Sequence, residues 1–175
     1  MLKRIFLLLG TLAVAAAFSG CGDQGGSTHR KAVAAMKMVS FSNYSGPLLG
    51  AVDVEINLPT GVTVPGISGT EPAQFSGTGA PVTLVGNWGG TGTMVGGSYL
   101  PANGTDPAKF KFEVVNPQGF TPGQEIDVQL DVGAGVAPNP ADFSIPYLGL
   151  VYKDGSYQTV VIPMVYNQDY TVSFE

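Results

Sequence analysis

The sequence predicts an all-β chain folded as a two-sheet antiparallel β-sandwich of about nine strands. Three observations lead there. Gly and Pro, the two residue types that interrupt helices and strands, occur 25 and 13 times in 175 residues, which argues against a helical bundle or coiled coil. Apolar and polar residues alternate with period two in several short runs, the pattern of strands with one buried face. The breakers fall mainly between those runs, at Pro59 and Gly61, Pro65 and Gly66, Pro101 and Gly104, Pro117 and Gly119, Pro122 and Gly123, and Pro138 and Pro140. With 44% hydrophobic and 12% charged residues, the chain has the apolar content to bury a core and lacks the charge-rich signature of disorder.

The first element reads as an export signal. Lys3 and Arg4 precede an apolar run from Ile5 to Ala17, broken only by Gly10 and Thr11. That run is shorter than the roughly 20 residues needed to span a bilayer, and it ends in small residues, so residues 1–20 are expected to be a signal peptide. Ala17-Phe18-Ser19-Gly20-Cys21 resembles the lipobox of bacterial lipoproteins, with Phe18 where Leu is usual. The resemblance implies that the Cys21 thiol is acylated and becomes the new N-terminus. Cys21 is the only cysteine, so no intramolecular disulfide forms, and lipidation gives an otherwise oxidisable exported thiol a use. Gly22 rather than Asp follows Cys21, with Asp23 next, which under the enterobacterial sorting rule points to the outer membrane of a Gram-negative bacterium. Residues 21–31 have no apolar periodicity and are expected to form a flexible tether, leaving residues 32–175 as one folded domain.

Within that domain, Val52, Val54, Ile56 and Leu58 alternate with Asp53, Glu55 and Asn57. Ile126, Val128, Leu130 and Val132 alternate with Glu125, Asp127, Gln129 and Asp131, and a helix would leave these apolar residues without a stripe. Phe110, Phe112 and Val114 share one face of 109–115, and Tyr170, Val172 and Phe174 share one face at the C-terminal end. Further strands are expected at 33–41, 82–85, 91–100, 143–148, 149–152 and 157–162. The last two flank Lys153-Asp154-Gly155-Ser156, where Asp-Gly between apolar runs signals a hairpin.

Val52-Asp-Val-Glu-Ile-Asn-Leu-Pro-Thr-Gly-Val-Thr-Val64, Gly119-Phe-Thr-Pro-Gly-Gln-Glu-Ile-Asp-Val-Gln-Leu-Asp-Val132 and Ala141-Asp-Phe-Ser144 together resemble the cohesin-like lipoproteins of environmental bacteria such as the Geobacter group. The resemblance spans most of residues 33–175 and rests on structural motifs. It implies a jelly-roll sandwich related to a carbohydrate-binding fold, and a role in holding a protein partner in an extracellular assembly.

The residue inventory is poor in catalytic groups. There are 13 acidic residues against 8 Lys plus Arg, and cleavage before Cys21 would remove Lys3 and Arg4, leaving an acidic domain that is not expected to bind nucleic acid. His29, the only histidine, falls in the expected tether, so no Ser-His-Asp or Cys-His arrangement is assembled, nor a Cys/His zinc site. Asp53 with Glu55, or Asp127 with Asp131, are candidate acid pairs, for which a solvated strand face is the simpler reading. Asp106, Asp142 and Asp154 are candidate calcium ligands in loops, without the Asp-x-Asp-x-Asp-Gly series, and no cofactor is expected. Gly86-Asn-Trp-Gly-Gly-Thr-Gly92 is glycine-rich without the Lys of a nucleotide loop and reads as a loop or edge bend. Trp88, Tyr99, Tyr152 and Tyr157 are the candidate ligand-binding aromatics, with Tyr147 a further surface candidate, able to stack on sugar rings or anchor a partner. The expectation is a non-enzymatic, lipid-anchored envelope module that binds a protein partner. The alternative is a carbohydrate-binding module for an envelope or extracellular polysaccharide.

Overall fold

The computed structural model describes residues 30–36, 45–67, 69–77, 81–123, 125–159 and 164–174. The expected signal peptide, Cys21 and His29 lie outside these residues. The described chain is all-β, with strands β1 (Arg30–Met36), β2 (Leu49–Leu58), β3 (Val62–Thr63), β4 (Ala73–Ser76), β5 (Val82–Val85), β6 (Met94–Leu100), β7 (Ala108–Phe120), β8 (Glu125–Val132), β9 (Ser144–Tyr152), β10 (Tyr157–Thr159) and β11 (Ser173–Phe174). A single 3-10 turn over Pro140–Asp142, capped by Asn139, is the helical structure among the described residues. None of their helices is long and apolar enough to cross a membrane.

The strands form two antiparallel sheets. The six-stranded sheet has the order β10-β9-β2-β7-β6-β4. In the five-stranded sheet β1 lies between β11 and β8, and the far edge of β8 is shared end to end by β5, along Glu125–Val128, and by β3, at Asp131–Val132. Only the β6–β7 and β9–β10 connections stay within one sheet; every other connection crosses to the opposite layer. The inner faces meet in one core: Ile126, Val128, Leu130 and Val132 from β8 pack in the same cluster as Val52, Val54, Ile56 and Leu58 from β2 and Phe110, Phe112 and Val114 from β7. These are the apolar members of the alternating runs, so period two does set which face of each strand is buried.

Several boundaries differ from expectation. Arg30 and Lys31, read as tether, are strand residues in register with Val132 and Asp131, because the backbone ladder along β8 runs past the point where apolar alternation stops. The expected strand at 33–41 is described only as far as Met36, and residues 37–44 lie outside the description. β7 does not stop at the Pro117 and Gly119 breakers but continues to Phe120, through a register shift opposite Leu49 and Ala51. A bulge is one of the few places where a strand tolerates Pro, and Gly119 sits there at φ +80°. The segments 143–148 and 149–152 are one strand, β9. The Asp-Gly turn forms as expected: the Tyr152 N–H donates to the Ser156 carbonyl at 2.7 Å, and Gly155 takes φ +86°.

Trp88 closes one end of the sandwich. Its ring is only 4% exposed, tilted against Phe120 at 5.8 Å between ring centres, and its indole N–H donates to the Val85 carbonyl at 2.9 Å. A Cβ on Gly123 would overlap the indole nitrogen, so the second glycine of the Gly-Phe-x-x-Gly segment is the gap that admits the ring. Behind it, the fully buried Asn116 donates to Thr93 Oγ1 at 3.0 Å and accepts from the Gln118 N–H at 2.9 Å. Thr93 Oγ1 in turn donates to the Trp88 carbonyl at 2.5 Å. The glycine-rich 86–92 segment is thus a plug held by a polar network.

Candidate functional site

The site is built from the outer face of the six-stranded sheet, and the strand registers place its residues in rows. One row runs Thr159, Gly149, Asp53, Glu113, Gly96, Ser76 across β10, β9, β2, β7, β6 and β4. The next runs Tyr147, Glu55, Lys111, Ser98, Gln74. On the other side lie Tyr157, Val151, Ala51, Val115 and Met94. Small residues at Gly96 and Ser98 lower the middle of this face. The result is an open groove of about 320 Å³ lined by Asp53, Glu55, Gly96, Ser98, Glu113 and Tyr147 among others.

The electrostatics of the groove divide sharply. Glu55 holds both neighbouring lysines, Lys111 Nζ at 2.7 Å and Lys109 Nζ at 2.9 Å. Burial pushes the Glu55 carboxyl up, but the hydrogen bonds and charges of Lys111 and Lys109 outweigh it and hold the group below the usual glutamate range. With both lysines committed there, Asp53 and Glu113, which oppose each other across β2 and β7, are left to hydrogen-bond to one another. Desolvation raises the Asp53 pKa, partly offset by the hydrogen bond it accepts from Glu113. Glu113 is raised by desolvation, by the neighbouring Asp53 charge and by donating that hydrogen bond. Desolvation of both carboxyls and their facing charges favour a proton held between the pair. No lysine or arginine pairs with either carboxyl among the described residues.

Two tyrosines stand at the end of the Asp53 row. A Cβ on Gly149, the register partner of Asp53 on β9, would lie 2.5 Å from the Tyr157 hydroxyl and 2.6 Å from the Tyr147 hydroxyl. Both hydroxyls therefore converge over the bare Gly149 backbone, the arrangement by which aromatics cover a strand glycine. Tyr157 is 50% exposed, so much of its ring faces solvent.

The structure redistributes the residues singled out from sequence. Trp88 is a core residue, and Tyr99, 2% exposed, is another, its hydroxyl donating to the Gly69 carbonyl at 3.2 Å. Neither ring face is open to stack on a sugar or a partner, because the β6 alternation and the Gly123 gap turn them inward. Tyr152 is half-buried with its hydroxyl bonded to Gln158, which leaves Tyr157 as the exposed member of the four. The acid pairs also change. Asp53 faces Glu113 rather than Glu55, while Asp127 and Asp131 lie on β8 of the other sheet, where Asp127 Oδ1 is buried without a hydrogen-bond partner. Asp106 and Asp142 line one cleft of about 550 Å³ with Asn57 and Thr60. Asp154 instead accepts from the Ser156 N–H and hydroxyl within its own turn, which holds its carboxyl below the usual range. No group of three or more His, Cys, Asp or Glu suited to a metal gathers among the described residues. Sequence reasoning missed Glu113 as a site residue and named Tyr147 only as a surface aromatic, since only the β2–β7 and β2–β9 registers bring them to Asp53 and Glu55.

No known protein family, curated protein or solved structure matches this chain.

Proposed function

We propose that this chain is a non-enzymatic, lipid-anchored module of the cell envelope that binds a protein partner through the outer face of its six-stranded sheet. The observation that carries the reading is the groove on that face, where a carboxyl pair with no cation of its own meets the half-buried Tyr147. Such a face gains from being covered, because a partner supplies both the missing charge and apolar contact. The direct hydrogen bond between Asp53 and Glu113 supports a binding role over glycoside hydrolysis. Hydrolytic carboxyl pairs of glycosidases stand about 5 Å or more apart to bracket substrate or water. The lipobox-like segment ending at Cys21 supports anchoring in the envelope, with the outer membrane favoured by Gly22.

A second reading, polysaccharide binding, is favoured by one observation: Tyr157 presents an exposed ring whose hydroxyl meets that of the groove residue Tyr147 over Gly149. On that reading the stacking residues are Tyr147 and Tyr157, not Trp88 and Tyr99.

Two experiments test the proposal. Palmitate labelling and membrane fractionation of the Cys21→Ala variant should show loss of both acylation and membrane retention; labelling that persists overturns the anchor. Capture from the native envelope, analysed for protein and for polysaccharide, should retain a defined protein that is lost when Ser98 is enlarged to Trp to fill the groove. Capture of polysaccharide alone would put the second reading first.

A further inference from the structure

Resting on the reading of the outer sheet face as a protein-binding surface, we propose that its groove is built to receive one arginine side chain of the partner, with the guanidinium seated on Asp53 and Glu113 and flanked by Tyr147.

The first ground is a charge imbalance that the chain cannot correct by itself. The titratable and charged groups lining the groove are Asp53 and Glu55 on β2, Lys111 and Glu113 on β7 and Tyr147 on β9, with Lys109 and Tyr157 just outside it, while β6 contributes only Gly96, Gly97 and Ser98. Both lysines are drawn to Glu55. Asp53 and Glu113 consequently offer acceptor oxygens with a single proton between them, and an incoming cation can replace that proton.

The second ground is shape and is independent of the charge. Gly96 and Ser98 on β6, beside Glu113 and Lys111, keep the groove open where longer side chains would close it. A Cβ at Gly96 would meet only the Phe75 carbonyl, at 3.6 Å, so ordinary residues would fit there sterically and would fill the groove rather than break the sheet. The third ground is the tyrosine end. A flat, delocalised guanidinium donates in a fork to paired carboxylate oxygens and stacks against aromatic rings, whereas a lysine ammonium is a compact point charge without that planarity. Carboxyls in one row and Tyr147 at its border match the planar cation.

Seating the guanidinium releases the proton held between the two carboxyls to solvent, leaving both ionised against one cation and the Glu55–lysine cluster unchanged. Binding therefore tightens as pH rises, by up to about tenfold per pH unit while the pair still holds its proton.

The test uses the full chain and N-acetyl-arginine amide as the probe, with N-acetyl-citrulline amide as its uncharged isostere, followed by amide chemical shifts across a pH series. The expected result is a saturable, arginine-specific shift at Gly96, Ser98 and Gly149, stronger at higher pH, and weakened by about tenfold or more in the shape-preserving Asp53→Asn plus Glu113→Gln variant. Thermal melting of the variant checks that it folds, and the pH dependence of the wild-type chain tests the proposal without any variant. No saturable shift, equal response to the citrulline probe, or pH-independent binding overturns it. So does a response at these amides to a neutral oligosaccharide but not to arginine. A native protein partner captured equally by wild type and by the double variant would preserve the protein-binding reading and remove this one, whereas arginine binding by a chain that captures polysaccharide alone would do the reverse.

Discussion

Replacing Trp88 by Ala should unfold part of the sandwich end rather than unmask a ligand phenotype. The indole is 4% exposed, packs on Phe120 and donates its N–H to the Val85 carbonyl, so truncation removes a buried aromatic and orphans an acceptor. Buried Trp to Ala changes cost about 3–5 kcal/mol. For a domain of this size that corresponds to a melting shift on the order of 10 °C. The Thr93 hydrogen bond to the Trp88 carbonyl is a backbone contact and survives, which places the expectation near the middle of that range at about 4 kcal/mol. Trp88→Phe keeps the ring contact and loses only the donor, for about 1–2 kcal/mol. The sharper test is coupling with Gly123, whose added Cβ would overlap the indole nitrogen. Gly123→Ala alone should cost about 1–3 kcal/mol by overpacking, and close to nothing in the Trp88→Ala background, where the methyl enters the vacated space. Urea unfolding followed by far-ultraviolet circular dichroism measures all four corners, since Trp88 is the only tryptophan and fluorescence is lost with it. An additive cycle, or a Trp88→Ala cost below about 1 kcal/mol, would refute the packing account.

Other outcomes follow from the same contacts. Asp53→Asn or Glu113→Gln should stabilise the fold at neutral pH: both carboxyls are raised above their unfolded values, so the native pair loses stability as pH climbs from the unfolded pKa through the folded one. Melting against pH should show the gain vanish below the unfolded pKa, and a variant destabilised at neutral pH would contradict it. Glu55→Gln has the opposite sign, because the lysine-held carboxyl contributes stability that is present above the unfolded glutamate pKa and lost as pH falls through the lowered folded one. Asn116→Ala should cost about 2–3 kcal/mol, leaving Thr93 and the Gln118 N–H without their buried partner, and amide exchange in the 86–92 segment should speed up with it. Gly97→Ala should be costly as well, since its Cβ would lie 2.6 Å from the Lys111 carbonyl, whereas Gly96→Ala is accommodated at 3.6 Å from the Phe75 carbonyl; comparing the two melting temperatures checks which glycine the sheet requires.

Much of the architecture was legible from local pattern alone. Val52 to Leu58 and Ile126 to Val132 bury the residues their alternation selects, because successive side chains of a strand point to opposite faces whatever its neighbours are. The Asp154-Gly155 turn and the all-β class follow from residues within a few positions of each other. The segments that misled were those where a long-range ladder overrode a local signal: β7 runs through Pro117 by bulging, and β1 begins at Arg30 because β8 offers it a partner along its whole length.

The site itself was decided by tertiary structure. Period two says that Asp53 and Glu55 share a face, but not which strand lies beside β2 or at what offset, and a shift of one residue would replace Glu113 by its inward-facing neighbour. Only the β2–β7 register gives Glu55 two lysines and leaves Asp53 with a carboxyl for company. In the same way, nothing local distinguishes Trp88, inside, from Tyr157, outside, since each ring's place depends on a glycine distant in sequence or across a strand: Gly123 makes room for one and Gly149 is covered by the other. Sequence determined the faces, and the pairing of distant strands determined what meets on them, because alternation is a property of one strand and register a property of two.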